Sequence, residues 1–171
     1  VIAGTTTLNA TVTTNSATAA TLASATATAV NVSGTGRAAG TTATGITAAT
    51  AINTSGMTAG KATFTIADGT VTSYTGGAGV DSVTVTNAAT AITKAIDLGA
   101  GDDTRTLNGA AVAPPATLKG GDGTDTIAMT GARAEALSAN ATFAGKIEGF
   151  EKLSITDKVA AAATVNMANM D

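Results

Sequence analysis

Three aspartates at a fixed interval constrain this chain more than any other feature. Asp81, Asp103 and Asp125 are evenly spaced along the chain, and each closes a glycine-rich turn. Gly76-Gly77-Ala78-Gly79-Val80-Asp81-Ser82-Val83-Thr84 fits the nonapeptide G-G-x-G-x-D-x-U-x, in which U is a large apolar residue. Gly120-Gly121-Asp122-Gly123-Thr124-Asp125-Thr126-Ile127-Ala128 fits it equally well. The stretch between them keeps Gly99, Gly101 and Asp103 but departs at the first glycine and at the apolar position, which is Arg105. A repeat of this length implies a solenoid, where each coil covers only its neighbours.

The same ruler runs back into the N-terminal part. Leu8, Val30, Ile52, Tyr74, Ile96 and Leu118 recur at the interval of the aspartates and are all apolar. Asn9, Asn31 and Asn53 follow in the next column, where a stack of turn or ladder asparagines is the natural reading, and Gly34 and Gly56 share another. Composition agrees with thin coils. Ala (40), Thr (36) and Gly (20) supply more than half of the 171 residues, and aromatics only 2%. Such small side chains bury little area each, whereas Thr and Val suit strands. The expected fold is therefore all-β, a parallel β-solenoid of about 22 residues per coil. A β-sandwich stays open as the alternative for residues 1–60.

Charge is uneven. Residues 1–60 hold one ionisable side chain, Arg37, whereas six of the nine aspartates fall between Asp81 and Asp125. With a net charge of −3 and a positive mean hydropathy the chain does not read as disordered. An acidic balance argues against nucleic acid, and no 18-residue apolar run is present to span a membrane. His and Cys are absent, which removes the usual zinc sites, thiol chemistry and a Ser-His-Asp triad. No S-x-x-K or G-x-S-x-G occurs either. Glu135, Glu148 and Glu151 read as a solvated helix face and a strand edge rather than a glycosidase pair. The N-x-[ST] matches at Asn9, Asn31, Asn53 and Asn140 are cheap in so Thr-rich a chain. No sustained T-x-T array suggests an ice-binding face. The chain is not expected to be an enzyme.

Local patterns place strands at 61–67 and 69–74 around the turn pair Asp68-Gly69, at 82–86, and again along 146–156. Pro114-Pro115 marks a loop or edge. Residues 132–140 (ARAEALSAN) read as one short helix, and 164–170 as the start of another coil. No charged n-region with an apolar h-region opens the chain, so no Sec-type signal peptide is visible, and from its start at Val1 we expect it to be a piece of a longer protein.

The glycine-rich motif has a mechanical reading. Glycines permit a tight turn with carbonyl oxygens directed inward, and the aspartate adds a carboxylate at its end. Calcium takes six to eight such oxygens, more than one turn supplies. Stacked turns would share them, with about two ions between three motifs. The expected calcium site uses Gly77, Gly79, Asp81, Gly99, Gly101, Asp103, Gly121, Gly123 and Asp125, with Asp97, Asp102 and Asp122 either completing the shells or solvated.

GGAGVDSVT, GGDGTDTIA and the intervening DLGAGDDT resemble the RTX (repeat-in-toxin) calcium-binding proteins of Gram-negative bacteria. EALSANATFAGKIEGFEKLSIT followed by TVNMAN looks more specifically like RTX-type S-layer and large surface proteins. The resemblance covers about residues 70–171; residues 1–75 are expected to be a Thr/Ala-rich β region of the same solenoid, and 76–171 its RTX-like calcium-binding region. It implies a β-roll or β-helix that folds on meeting calcium outside the cell, and type I export through a C-terminal signal not visible here. A 22-residue coil exceeds two nine-residue half-turns, so one side of each coil departs from a compact β-roll. The function expected is structural: a calcium-stabilised segment of a bacterial surface layer that self-assembles with identical subunits. Contact with cell-surface polysaccharide would fall to regions outside this chain. The alternatives are a spacer or ligand-binding segment of a large RTX adhesin, or a non-catalytic RTX domain of a secreted enzyme.

Overall fold

Alternation of small apolar and polar residues over four to seven positions favours strands with one face inward. The computed structural model describes residues 6–13, 17–67, 72–86, 94–108, 116–159 and 164–166. Its strands, in chain order, are β1 (Thr7–Val12), β2 (Ala20–Thr21), β3 (Ala29–Gly34), β4 (Arg37–Thr41), β5 (Ala51–Met57), β6 (Lys61–Ala67) and β7 (Ser73–Thr75). They continue with β8 (Val80–Thr86), β9 (Ile96–Asp97), β10 (Thr104–Leu107), β11 (Leu118–Lys119), β12 (Thr126–Met129), β13 (Ile147–Glu148) and β14 (Lys152–Ile155). The odd strands form one seven-stranded parallel sheet and the even strands another. Each coil thus contributes one strand to each sheet, and the chain is the parallel β-solenoid that the period implies.

The column of apolar residues is the spine of the odd sheet. Leu8, Val30, Ile52, Tyr74, Ile96 and Leu118 pair in register one coil apart, and Ile147 extends the row. From Val30 onward every member is buried. Parallel pairing also joins β1, β3 and β5, with a register shift past Asn31 that sets Gly34 against Met57 and Ser33 against Gly56 instead of aligning the two glycines. Residues 1–60 thus join the solenoid in their described parts and form no separate sandwich. Facing this spine, the even sheet points inward Phe64, Val83, Arg105 and Ile127, paired in sequence. Phe64 meets Tyr74 across the interior with ring centres 5.7 Å apart, and Gly40 beside it has no side chain to obstruct the ring.

The even sheet does not keep a constant interval. Ala20 pairs with Ala38, Ala38 with Ala62, and Ala62 with Asp81, so the step is short, then long, then short again. From β8 to β10 and on to β12 it settles at the interval of the aspartates. Turns between strands of a coil absorb these differences without moving the odd sheet. A longer arc after β12 carries two helices, α1 (Gly131–Ser138) and α2 (Ala141–Ala144), where the sequence announced one. Thr130 caps α1 by accepting from the Arg133 amide, and Asn140 breaks the helix by capping α2 through the Thr142 amide. Leu118 therefore pairs with Ile147, the widest step in the spine of the odd sheet.

Residues 61–67 and 73–75 are strands, but they lie in opposite sheets and do not form a hairpin. Asp68-Gly69 and Pro114-Pro115 fall outside the described residues, as do 167–170. The strand-like run 146–156 divides into β13 and β14, one in each sheet. Residues 164–166 carry no strand. Among the described residues, no helix is long and apolar enough to cross a membrane.

Candidate metal centre

At the turn leading into each even strand of the acidic half, a side chain replaces a backbone carbonyl as hydrogen-bond acceptor. The Asp81 amide donates to Asp103 Oδ1 at 2.6 Å, and the Asp103 amide to Asp125 Oδ1 at 2.8 Å. The Asp125 amide continues the row to Glu151 Oε2 at 2.7 Å. The three aspartates that the spacing singled out are thus brought into one column of carboxylates. All three are almost wholly buried, at 1%, 1% and 0% exposure.

The turns themselves are stacked backbone on backbone. Gly99 and Gly101 adopt φ of 94° and 133°, and Gly121 and Gly123 repeat this at 113° and 139°. A Cβ on Gly121 would run into the Gly99 carbonyl oxygen, and one on Gly123 into that of Gly101. Glycine is therefore required twice over, by conformation and by the approach of the next coil. Gly77 and Gly79 sit in the first turn without a left-handed φ, although that motif is complete in sequence. The carbonyls of Gly77 and Gly99 each accept one amide from the following coil, from Ala100 at 2.7 Å and Asp122 at 2.9 Å. A carbonyl oxygen has two lone pairs, so each keeps one for another partner.

Burial is the largest influence on the carboxyl groups. It pushes Asp103 up to about 7, with repulsion from Asp81, Asp125 and Asp102 adding to it and the Asp81 amide opposing. Burial likewise raises Asp81 and Asp125. Asp103 Oδ2 and Asp125 Oδ2 are buried and accept no hydrogen bond. Leaving such an atom unsatisfied costs about 1–3 kcal/mol, more when it is charged. Such orphaned carboxylate oxygens suit a hard cation such as calcium, which prefers carboxylate and carbonyl oxygen. Among the described residues no three acidic side chains gather as a ready-made metal cluster, so backbone carbonyls would have to supply much of the shell.

The secondary acidic candidates are placed apart from the buried column. Asp97 Oδ1 accepts from the Gly99 amide at 3.1 Å, a local turn contact. Asp102 is exposed and accepts from the Thr124 amide one coil on, at 3.0 Å. Asp122 is exposed and bridges Ala100 through its backbone. Three residues at this centre were not singled out as site residues by sequence. Glu151, read as a strand edge, ends the carboxylate column. Tyr74 and Thr54, the former read as core, donate hydroxyls to Asp81. Only the fixed offset from the aspartates would have signalled the last two.

The chain matches no family model, and no curated protein or solved structure is detectably similar to it.

Proposed function

We propose that this chain is a calcium-stabilised structural segment of a bacterial surface layer, secreted to the cell exterior, where it supports assembly with identical copies. The observation that carries the cation reading is the pair of buried, unpartnered oxygens, Asp103 Oδ2 and Asp125 Oδ2. A column of like charges in a poorly solvated edge is mutually repulsive. A bound divalent cation supplies positive charge there and lets the carboxylates remain ionised.

In this reading Asp103 and Asp125 hold the cation through their free oxygens. Gly99, Gly101, Gly121 and Gly123 shape the cradle and present carbonyls. The carboxylate–amide ladder joins one coil to the next, so ordering one turn orders its neighbours. Stiffened coils would offer regular outer faces for contacts between copies, which is the mechanical task of a lattice subunit. The repetitive two-sheet interior suits a structural element. Resemblance of the motifs to RTX surface proteins supports the same assignment.

The test is a thermal melt followed by circular dichroism, with calcium and with a chelator, paired with electron microscopy of the calcium-loaded chain. Chelation is expected to lower the melting temperature, and calcium to promote ordered sheets. A melt indifferent to chelation would remove the calcium role. Calcium-dependent melting without ordered sheets would leave a calcium-stabilised solenoid but contradict self-assembly.

A further inference from the structure

Asp81, Asp103 and Asp125 hold equivalent motif positions, yet their outer carboxylate oxygens differ. Asp81 Oδ2 accepts from the Tyr74 hydroxyl at 2.9 Å, the Thr54 hydroxyl at 3.3 Å and the Gly77 amide at 3.4 Å. Its Oδ1 accepts from the Ala62 amide at 3.3 Å. Asp103 Oδ2 and Asp125 Oδ2, equally buried, accept nothing.

The cause lies at the two positions that precede each aspartate as Tyr74 and Thr54 precede Asp81. Tyr74 and Thr54 are both buried, their hydroxyls 3.0 Å from each other. For Asp103 the equivalent residues are Ile96 and Gly76, and for Asp125 they are Leu118 and Leu98. None of these four has a side chain able to donate a hydrogen bond. Two hydroxyls therefore converge on one carboxylate and are replaced by apolar residues or glycine at the next two.

We infer that Tyr74 and Thr54 are a stopper that fills, with hydroxyl donors, the place a hard divalent cation takes beside Asp103 and Asp125. The cation row then begins at Asp103 rather than at the first motif, and Asp81 is a hydrogen-bond acceptor instead of a ligand. This rests on the calcium reading above. Asp81 Oδ2 has two lone pairs, and the Tyr74 hydroxyl and the Gly77 amide engage them, with the Thr54 hydroxyl packed alongside. The outer oxygen that is free at Asp103 and Asp125 is therefore occupied here by neutral donors.

Calcium binding to the full chain, followed by titration calorimetry and by melting with and without the ion, separates the possibilities. Asp81→Asn is expected to keep the wild-type stoichiometry with affinity within about threefold, whereas Asp103→Asn loses a site or at least about tenfold in affinity. Tyr74→Phe leaves every carboxylate in place but removes the shortest donor to Asp81; it should increase the stabilisation that calcium confers or add a weaker site. Loss of a site in Asp81→Asn, or a Tyr74→Phe chain with unchanged stoichiometry and unchanged calcium response, would overturn the stopper. A wild-type chain that takes up no calcium would instead overturn the calcium reading on which it stands.

Discussion

Arg105 occupies a position that the repeat reserves for an apolar residue, between Val83 and Ile127 in the inward row of the even sheet. It is fully buried, and Nη1 donates to the Val83 carbonyl at 3.0 Å while Nε and Nη2 have no partner. Burial, assisted by repulsion from Arg133, pulls its pKa down to about 9. A buried charge without a counter-charge is costly. Arg105→Leu should therefore raise stability by about 1 kcal/mol or more, read by chemical denaturation; a loss would show that the guanidinium makes a favourable interaction that its contacts do not reveal. Asp103 is the opposite case, a charge whose cost depends on pH. Its folded pKa of about 7 lies above the ordinary 3.8, so without calcium its contribution to stability is fully present below the ordinary value. That contribution disappears as pH rises through about 7. The chelated protein should melt higher at pH 5 than at pH 8, and Asp103→Asn should flatten that dependence. The sequence made the place of Arg105 in the repeat legible as a departure, and Asp103 as a candidate ligand. It did not show that one would be orphaned in the core and the other held by a neighbour's amide, because both depend on which face each strand turns inward.

At the level of turns and strands, the acidic edge is held by glycine geometry. Gly121→Ala would force a side chain into φ +113° and against the Gly99 carbonyl, with an expected cost of about 2 kcal/mol or more. Gly145→Ala is the control. Its φ is −76° and its nearest neighbour would be Thr142 O at 4.0 Å, so thermal melting should change little. The odd sheet was readable from spacing because its apolar spine keeps one interval from β1 to β11, so a single ruler aligns Leu8 to Leu118 and the asparagine column beside it. Asn31 Nδ2 donates to Asn9 Oδ1 at 2.8 Å, as a ladder requires. The even sheet from β2 to β8 escaped the ruler because arcs such as that between Thr41 and Ala51 vary in length while both sheets stay in parallel register. The strands at β6 and β7 were legible from their alternation, but not the sheet each joins: a turn signal between two alternating runs is the same for a hairpin and for a step between sheets. Thr54 and Tyr74 were hidden because a buried Thr and a Tyr in an apolar column look like core until their hydroxyls are placed beside Asp81.

Across the whole molecule, two kinds of coil share one architecture. In the neutral half, uncharged groups bind coil to coil: Asn31 to Asn9, Thr11 with Ser33 at 3.1 Å, and the Thr28 and Thr50 hydroxyls to carbonyls one coil back at 3.2 Å each. In the acidic half the carboxylate ladder has that role, and its members repel one another. Of the two, the acidic coils are the ones a cation would stabilise. Local opening free energies in such a solenoid can differ along its length. Amide hydrogen exchange of the full chain, with calcium and with a chelator, tests this division directly. Chelation is expected to strip protection from the Asp81 and Asp103 amides and from β10 and β12, while β3 and β5 exchange as before. Equal protection of β10 and β12 in both conditions would contradict it.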